Sequence, residues 1–544
     1  MFYLSWAILL AGSICLSHLV WSYLQEEKSW RRSNIPRPLG HPIFGSKHQL
    51  GSHPAKRLEK LGLSEGELFS VKFGFKHFVY VNSYDAVREI FDRQATKTSA
   101  KGPWRGATQI VSGLRIAIMP GNMQWRRLRT ILHRLLHPTV ARFFRPSQEF
   151  EAKQLLCDLL ESGGKDVVCK EQAHRMALSV IMTSTYGHRV ASMQEDPICH
   201  QVDQIMQDFS QATAPGVFIT DLIPQLDNLP VRLQWWRPQA RKFHERQYAV
   251  WMPLWQELRR RVTEGTAPSC FAKHFMEADM QRFQIDETQA AFLAGTLIEA
   301  GSDTSASALN IAIKYLAANP SVLDQAHAEV SRVVGDDKSP SFDDIDRLPF
   351  IHACIKEVSR IRPLTKFGTA HYTTDMVTYK QYRIPPGCFV VINQCAIHNN
   401  PEYYDQPGQF DPGRYLRPPF EDCNDEQEKF NSNAIKAHLN FGAGRRICPG
   451  LHVAESSLFI ALAKLVWLFD IQPEADKNGN PLPMDVSDAA FEDGANNVPK
   501  PFRVRFVSRS AAREERAWKD WKTAKMFGFE IRDVKVNLDG VIVE

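Results

Sequence analysis

One cysteine near the carboxyl end of this 544-residue chain stands in a setting built for a ligand. The run Phe441-Gly-Ala-Gly-Arg-Arg-Ile-Cys-Pro-Gly450 places Cys448 in a tight, open loop that leads into an apolar segment. If that segment is a helix, its N-terminus offers positive partial charge and free N–H groups, which favour a thiolate over a thiol. Gly442, Gly444 and Gly450 let backbone approach a large flat group with no Cβ in the way. Phe441 is placed to cover the sulfur from water, and Arg446 carries a fork of donors suited to a carboxylate. The chemistry on offer is that of a single sulfur ligand or nucleophile. A buried structural cysteine in a glycine-rich turn is the alternative, and for such a residue taken alone it is the commoner one.

The pattern Phe-x-x-Gly-x-Arg-x-Cys-x-Gly is matched at Phe441, Gly444, Arg446, Cys448 and Gly450. At average residue usage a chance match in a chain of this size is on the order of one in ten thousand. The segment resembles the haem-binding loop of the cytochrome P450 family. The resemblance implies a heme b (iron protoporphyrin IX) whose iron takes Cys448 as its axial thiolate and only protein ligand. It places Arg446 on a haem propionate, with Phe441 and Gly442 against the cofactor. A thiolate pushes electron density through the iron and favours O–O cleavage, which separates such haems from histidine-ligated carriers.

Other segments match the same family in its order. Ala300-Gly-Ser-Asp-Thr-Ser305 lies in mid-helix, where a glycine costs about 1 kcal/mol relative to alanine and so has a packing or functional reason. By resemblance Gly301 gives room for dioxygen, Thr304 is the hydrogen-bonding alcohol beside it, and Asp303 brings protons through water. Read alone, these residues are a polar helix face. Glu357-Val-Ser-Arg360 pairs a carboxylate and a guanidinium at i, i+3; the resemblance adds Arg414, from Phe410-Asp-Pro-Gly-Arg-Tyr415, as the third member of a buried structural network. Gly413 there departs from the commoner acidic residue. Trp125 and Arg129 lie one helical turn apart on one face, and the resemblance assigns both to a haem propionate. His371 stands where the family often has another propionate donor; a lone histidine is otherwise a packing residue.

Elements must hold these residues in place. The longest helix is expected to start at Asp286, with Gln289 as capping-box partner, and to stop before Asn319-Pro320. A second helix ends near Ile361 with Leu348, Ile351, Ile355 and Val358 on one face. A third begins after Pro449. Leu68 to Val81 and Val377 to Ile392 carry strand-like residues, with Pro385-Pro386-Gly387 as a turn. The fold class is therefore mainly α with a minor β region, and the resemblance makes it the cytochrome P450 fold with an N-terminal transmembrane helix.

Phe2 to Leu24 carries no Asp, Glu, Lys or Arg and is long enough to cross a bilayer as a helix. No basic segment precedes it, as a cleaved signal would require, and Lys28, Arg31, Arg32 and Arg37 favour a cytoplasmic flank. The expected organisation is an anchor at 1–24, a basic and proline-rich linker at 25–49, a haem-thiolate catalytic domain at 50–509 and a charged extension at 510–544. For such a chain the resemblance implies a single-pass protein of the endoplasmic reticulum membrane with its catalytic domain in the cytosol. In the extension, Arg513 to Lys525 reads as a surface helix with Trp518 and Trp521 inward, and Val534 to Gly540 as a small hairpin.

The ten cysteines show no CxxC pair or finger spacing and read as reduced thiols. The net charge of +5 comes from basic residues interspersed with acidic ones, which gives no nucleic-acid-binding arm. No Gly-x-Gly-x-x-Gly follows a strand, so the chain carries no nicotinamide domain of its own. The resemblance therefore implies that NADPH is used indirectly, through NADPH–cytochrome P450 reductase in the same membrane lipid. Arg126, Arg127, Arg134 and Arg445 form a candidate docking face for it, or are ordinary solvated charges. The implied reaction inserts one atom of O2 into a small, mostly apolar organic substrate. Candidate walls around that substrate are Thr98 to Pro120, Leu364 to Thr369 and the turn near Phe491; Lys366 is a candidate partner for an acidic group, although a solvated lysine is the commoner case. Lys366-Phe-Gly368 and Phe491-Glu-Asp-Gly494 resemble fungal microsomal members of secondary metabolism. Two rival readings share the cysteine loop, a haem-thiolate isomerase or dehydratase and a non-catalytic haem-binding protein.

Overall fold

The computed structural model describes residues 49–73, 76–102, 113–213, 224–416, 438–492 and 496–529, with shorter pieces at 17, 21, 27–28, 30–38, 46, 111, 218, 220, 494, 535–536 and 542–543. The expected anchor, Phe2 to Leu24, lies outside the described residues apart from Ser17 and Trp21. Among the described residues one helix, Leu451–Leu468, is long and apolar enough to cross a membrane, and 72% of it is buried inside the protein. A helix apolar on every side and packed on every side is a core helix.

The chain folds as two compact units. The smaller comprises Met1–Gly102, Thr369–Ile397 and Ala443–Arg446. Its centre is a four-stranded sheet in the order β1-β2-β6-β3, with β1 at Leu68–Phe73, β2 at Lys76–Val81, β3 at His371–Tyr372 and β6 at Phe389–Ile392. β1 and β2 form a hairpin in the register Leu68↔Val81 to Phe73↔Lys76, and β2 runs parallel to β6. Alternating aromatic and β-branched residues fill both faces, as when Phe78 stacks on Phe389. A second hairpin pairs β4 (Val377–Tyr379) with β5 (Tyr382–Ile384). Gly387, in the expected turn, adopts φ +89°, a conformation that glycine takes without strain. The helix α1, Pro54–Ser64, begins on a proline at its first turn.

The described part of the expected linker is not a free spacer. Trp30 is buried and stacks on His77 at 4.2 Å. The carbonyl of Pro36 accepts from Ser70 N–H at 2.8 Å, and that of Ser33 from Arg383 N–H at 2.8 Å. Residues 30–36 therefore lie against the sheet and are part of this unit.

The larger unit comprises Pro103–Gly368, His398–Gly442 and Ile447–Glu544. Its helices are α2 (Met123–Leu135), α3 (Arg145–Leu160), α4 (Lys170–Tyr186), α5 (Pro197–Thr213), α6 (Arg237–Thr263), α7 (Glu287–Ala318), α8 (Pro320–Val334), α9 (Pro349–Ile361), α10 (Leu451–Leu468) and α11 (Ala511–Phe527). α7 is the axis. Its second half packs with α8, α9 and α10 in one apolar core, and its first half with α2, α4 and α6 in another. Replacing a fully buried side chain such as Leu316 or Leu293 by alanine costs about 2–5 kcal/mol in cores of this kind.

The ends of α7 follow the sequence. Asp286 accepts the N–H of Gln289 as N-cap. The Gln289 amide does not return to form the expected capping box; it donates to the carbonyl of Leu114 at 3.2 Å. Asn319-Pro320 ends the helix and starts α8, with Pro320 in its first turn.

The C-terminal extension is docked on this unit through Arg513. Its guanidinium bonds Asp336 at 2.7 Å, the carbonyl of Trp467 at 2.6 Å and the Ser331 hydroxyl at 3.0 Å. Trp521 packs edge-on against Phe150 as expected. Trp518 does not turn inward: it is exposed on the outer face of α11. Residues 535–536 and 542–543 pair as antiparallel strands, and the turn between them lies outside the described residues.

Candidate active site

In the larger unit the loop carrying Cys448 is closed by its own backbone. Leu439–Phe441 makes one helical turn, Gly442 follows at φ +78°, and the Cys448 N–H donates to the Phe441 carbonyl at 2.9 Å. A side chain at Gly442 would meet no protein atom within 4 Å, so this backbone borders open space. The chain then enters α10 with Gly450 as N-cap. From α2, Arg129 reaches across and donates to the Ile447 carbonyl. Trp125, one turn earlier on the same helix, is buried among Leu128, Ile131 and Leu132. The structure thus brings Cys448 and Arg129 together, and places Trp125 on the same helix face.

Burial is the largest influence on the Cys448 thiol and pushes it up; the Gly450 N–H and the Arg129 charge pull the other way without prevailing. The expected thiolate is therefore not produced by the helix N-terminus alone. A cation on the sulfur, as a coordinated metal provides, would favour it. Cys448 belongs to none of the described clusters of three or more metal-ligating side chains. Among the described residues no such cluster adds ligands to Cys448, so a metal that brings its remaining ligands with it, as in a porphyrin, fits this sulfur.

The middle of α7 supplies a second sign of fit. Residues 289–299 are buried without a break, and the run ends at Ala300. Ala300 and Thr304, one turn apart, are both exposed, so a core helix opens a narrow face made of a methyl and an alcohol. The Thr304 hydroxyl donates to the Ala300 carbonyl at 2.7 Å. Gly301 is explained differently from expectation. A Cβ there would lie 2.9 Å from Cγ1 of Ile181, so its missing side chain serves the close packing of α7 on α4. Asp303 lies 3.2 Å from Nε2 of His174 on α4.

In the smaller unit Arg446 and His371 also have defined partners. Nε of Arg446 donates to the Ser99 carbonyl at 2.9 Å, and Nδ1 of His371 lies 3.0 Å from the Thr98 carbonyl. Beside them is Lys101, which sequence reasoning missed; its ammonium donates to the Thr369 carbonyl at 3.0 Å. Burial pushes both His371 and Lys101 well below their ordinary values, and mutual repulsion among Lys101, Arg446 and His371 adds to it. Three basic side chains gathered on adjacent carbonyls make a place that a carboxylate would relieve. His371 can donate to one only as imidazolium, because a carbonyl partner obliges Nδ1 to carry a proton already. Lys101 carried no signal beyond a lysine in a glycine-flanked loop.

The structural network is formed as expected. Glu357 and Arg360 pair at 2.7 Å with no solvent exposure, and Arg414 joins Glu357 at 3.1 Å. Gly413 has a local cause: a Cβ there would press on the Asp411 carboxylate, 2.8 Å away, which caps the turn.

The expected substrate walls are only partly described, since 103–110 and 112 lie outside the described residues. Arg115, in the first wall, forms a buried pair with Glu299 of α7. In the second wall Lys366 has carbonyl partners. Its ammonium donates to the carbonyls of Glu492 and Gly494, in the third wall, at 2.9 and 3.0 Å. Asn497 completes the stitch by donating to the Pro363 carbonyl at 2.7 Å. In the candidate docking face, Arg134 is mostly buried and paired with Asp279 at 2.7 Å, whereas Arg126 and Arg445 are exposed.

Comparison with known proteins bears on what such a site does. The family model described as Cytochrome P450 matches residues 35–490. The chain is 34% identical to a protein named cytochrome P450 monooxygenase pgmC of Aspergillus terreus, across 96% of this chain and 95% of that one. It is 36% identical to cytochrome P450 monooxygenase verL of Clonostachys rogersoniana, across 91% and 90%. It is also 31% identical to cytochrome P450 monooxygenase 231 of Postia placenta, across 93% and 94%.

Proposed function

This chain belongs to the cytochrome P450 family, and from that premise we propose that it is a haem-thiolate monooxygenase that oxidises a small, mostly apolar molecule in secondary metabolism. The observation that carries the reading is the closed loop that presents Cys448 as a lone sulfur ligand. Bound at that sulfur, haem would supply the iron on which dioxygen is reduced and one oxygen atom is transferred to a C–H bond.

The chain's own residues divide the remaining work. Cys448 holds the group, and Arg129 stands beside the sulfur as a fixed positive charge. Within the smaller unit, Lys101, Arg446 and His371 gather donors suited to a carboxylate, and an anion there makes the His371 imidazolium easier to form. Thr304 gives its proton to the Ala300 carbonyl, so its oxygen is open as an acceptor until that bond is exchanged. Asp303, next to it in sequence, is the carboxylate that supplies protons. Lys366 and Asn497 hold two substrate walls to each other.

NADPH–cytochrome P450 reductase is the proposed electron donor, docking through exposed basic side chains such as Arg126 of the larger unit. The proposed location is the endoplasmic reticulum membrane, with Phe2 to Leu24 as anchor and the folded body in the cytosol. The support is the composition of that segment and its basic flank. The isomerase or dehydratase reading and the pure haem-binding reading need neither reductase nor dioxygen. The test is turnover by the purified protein with reductase and NADPH under 18O2, screened against small apolar metabolites. One labelled oxygen atom per product is expected; product that forms without NADPH, or carries oxygen only from water, overturns the proposal.

A further inference from the structure

We propose that His174 is the positioning and proton-transfer partner of Asp303, so that protons reach the oxygen-reducing site along Asp203, His174 and Asp303. The inference rests on the monooxygenase reading above and adds residues from two helices that the sequence did not single out. Three helices of the larger unit converge here: α4 brings His174, α5 brings Asp203 and α7 brings Asp303. Nε2 of His174 lies 3.2 Å from Oδ1 of Asp303 and 3.8 Å from Oδ1 of Asp203. The imidazole is 12% exposed, while each carboxylate is 40% exposed. An enclosed base therefore stands between two carboxylates that are each partly exposed.

Chemistry gives the arrangement a use. A carboxylate that hands on a proton in every turnover must be reprotonated in every turnover. Histidine is the side chain whose ordinary range allows it to gain and lose a proton near neutral pH. The remaining charged groups that act on this cluster are Lys170, one turn back on α4, and His200 on α5. Burial draws the His174 value down, but Asp303 and then Asp203 outweigh it, and the net direction is up. The imidazolium is thus easier to form here than on a free histidine. In the step, the Nε2–H bond breaks as a proton passes to Oδ1 of Asp303 and the ring becomes neutral. Water on the Asp203 side then returns a proton to the ring.

The holoenzyme with its reductase tests this without an organic substrate. In that state the balance is NADPH + H+ + O2 giving NADP+ + H2O2, and the rate is read in H2O and D2O between pH 6 and 9. The unmodified rate is expected to fall as pH rises through the His174 range. His174→Gln should be slower at pH 7, by about tenfold, with a larger solvent isotope effect and a flattened pH profile. Asp203→Asn removes a charge that supports the imidazolium, so the falling limb should move to lower pH while the reduced carbon monoxide spectrum stays that of the unmodified protein. A His174→Gln holoenzyme with unchanged rate, profile and isotope effect overturns the relay. So does a rate in the unmodified protein that depends on added Mn2+ or is lost with a chelator, because the three side chains would then be a cation site. If the unmodified protein lacks a thiolate-type carbon monoxide spectrum, it is the monooxygenase reading that has failed.

Discussion

Arg115 grips Glu299 by both carboxylate oxygens, Nε to Oε2 at 2.6 Å and Nη2 to Oε1 at 2.9 Å, with both side chains almost wholly buried. The guanidinium also lies over the Phe209 ring, 4.3 Å from its centroid. The pair ties the loop before α2 to α7, beside the exposed face at Ala300. Removing one partner of such a pair strands a buried charge and costs about 3–5 kcal/mol, whereas replacing both with apolar groups is often neutral. Glu299→Leu alone should therefore lower the denaturant midpoint sharply, and Arg115→Met with Glu299→Leu should recover most of it. Equal losses in the single and double variants would show that the pair is not the cause.

Lys366 donates to the carbonyls of Glu492 and Gly494, and its predicted role is to tie two walls together. Lys366→Met loses two charge-assisted hydrogen bonds at a partly exposed site, so about 1 kcal/mol of stability should go. Product ratios should change because two walls are no longer tied. Acidic and neutral members of a substrate series should be affected alike. A selective loss of acidic compounds, followed by substrate-binding difference spectra, would instead make Lys366 the partner of an acidic substrate group.

The Glu357, Arg360 and Arg414 network is predicted to be required for folding and not for chemistry. Glu357→Ala leaves Arg360 unpaired in a place with no water, a loss of about 3–5 kcal/mol. The variant should be recovered poorly and without haem. A stable, haem-loaded Glu357→Ala protein that is only slow in turnover would contradict this.

Lys464 is fully buried in α10, where its ammonium donates to the Ser339 hydroxyl at 3.0 Å. Burial, its largest influence, takes its pKa down to about 8 from an ordinary 10.5. The unfolded chain then binds the extra proton between these values, so stability should rise with pH across that window and carry its full penalty below it. The penalty is on the order of 3 kcal/mol. Urea unfolding from pH 7.5 to 10 should show this rise, and Lys464→Met should flatten it. The same slope in both proteins would assign the effect elsewhere.

Much of this was legible in the sequence for a physical reason. Backbone signals are local: Asp286 and Pro320 mark the ends of α7, and the spacing of Leu348, Ile351, Ile355 and Val358 shows the face of α9. The cysteine loop is also local, since its glycines, arginine and sulfur lie within ten residues. What could not be read are pairings between distant segments. Nothing near His174 points to Asp303, nothing near Arg115 points to Glu299, and Lys101 gathers with His371 and Arg446 only after folding. Gly301 was read as room for a ligand because a missing side chain is silent about direction; only the position of Ile181 shows which neighbour it admits. Trp518 was expected inside because tryptophans usually are, but of the two tryptophans α11 buries only Trp521, alongside Ala517 and Ala524.

The central claim is a bond between the Cys448 sulfur and haem iron, and the spectrum of the reduced protein under carbon monoxide reads that bond directly. The unmodified protein should give the red-shifted Soret band of thiolate ligation, and Cys448→Ala should lose it, either binding no haem or showing the band of a haem without thiolate. An identical band from both proteins would mean that iron is held elsewhere, and the oxygen chemistry assigned to this site would not belong to it.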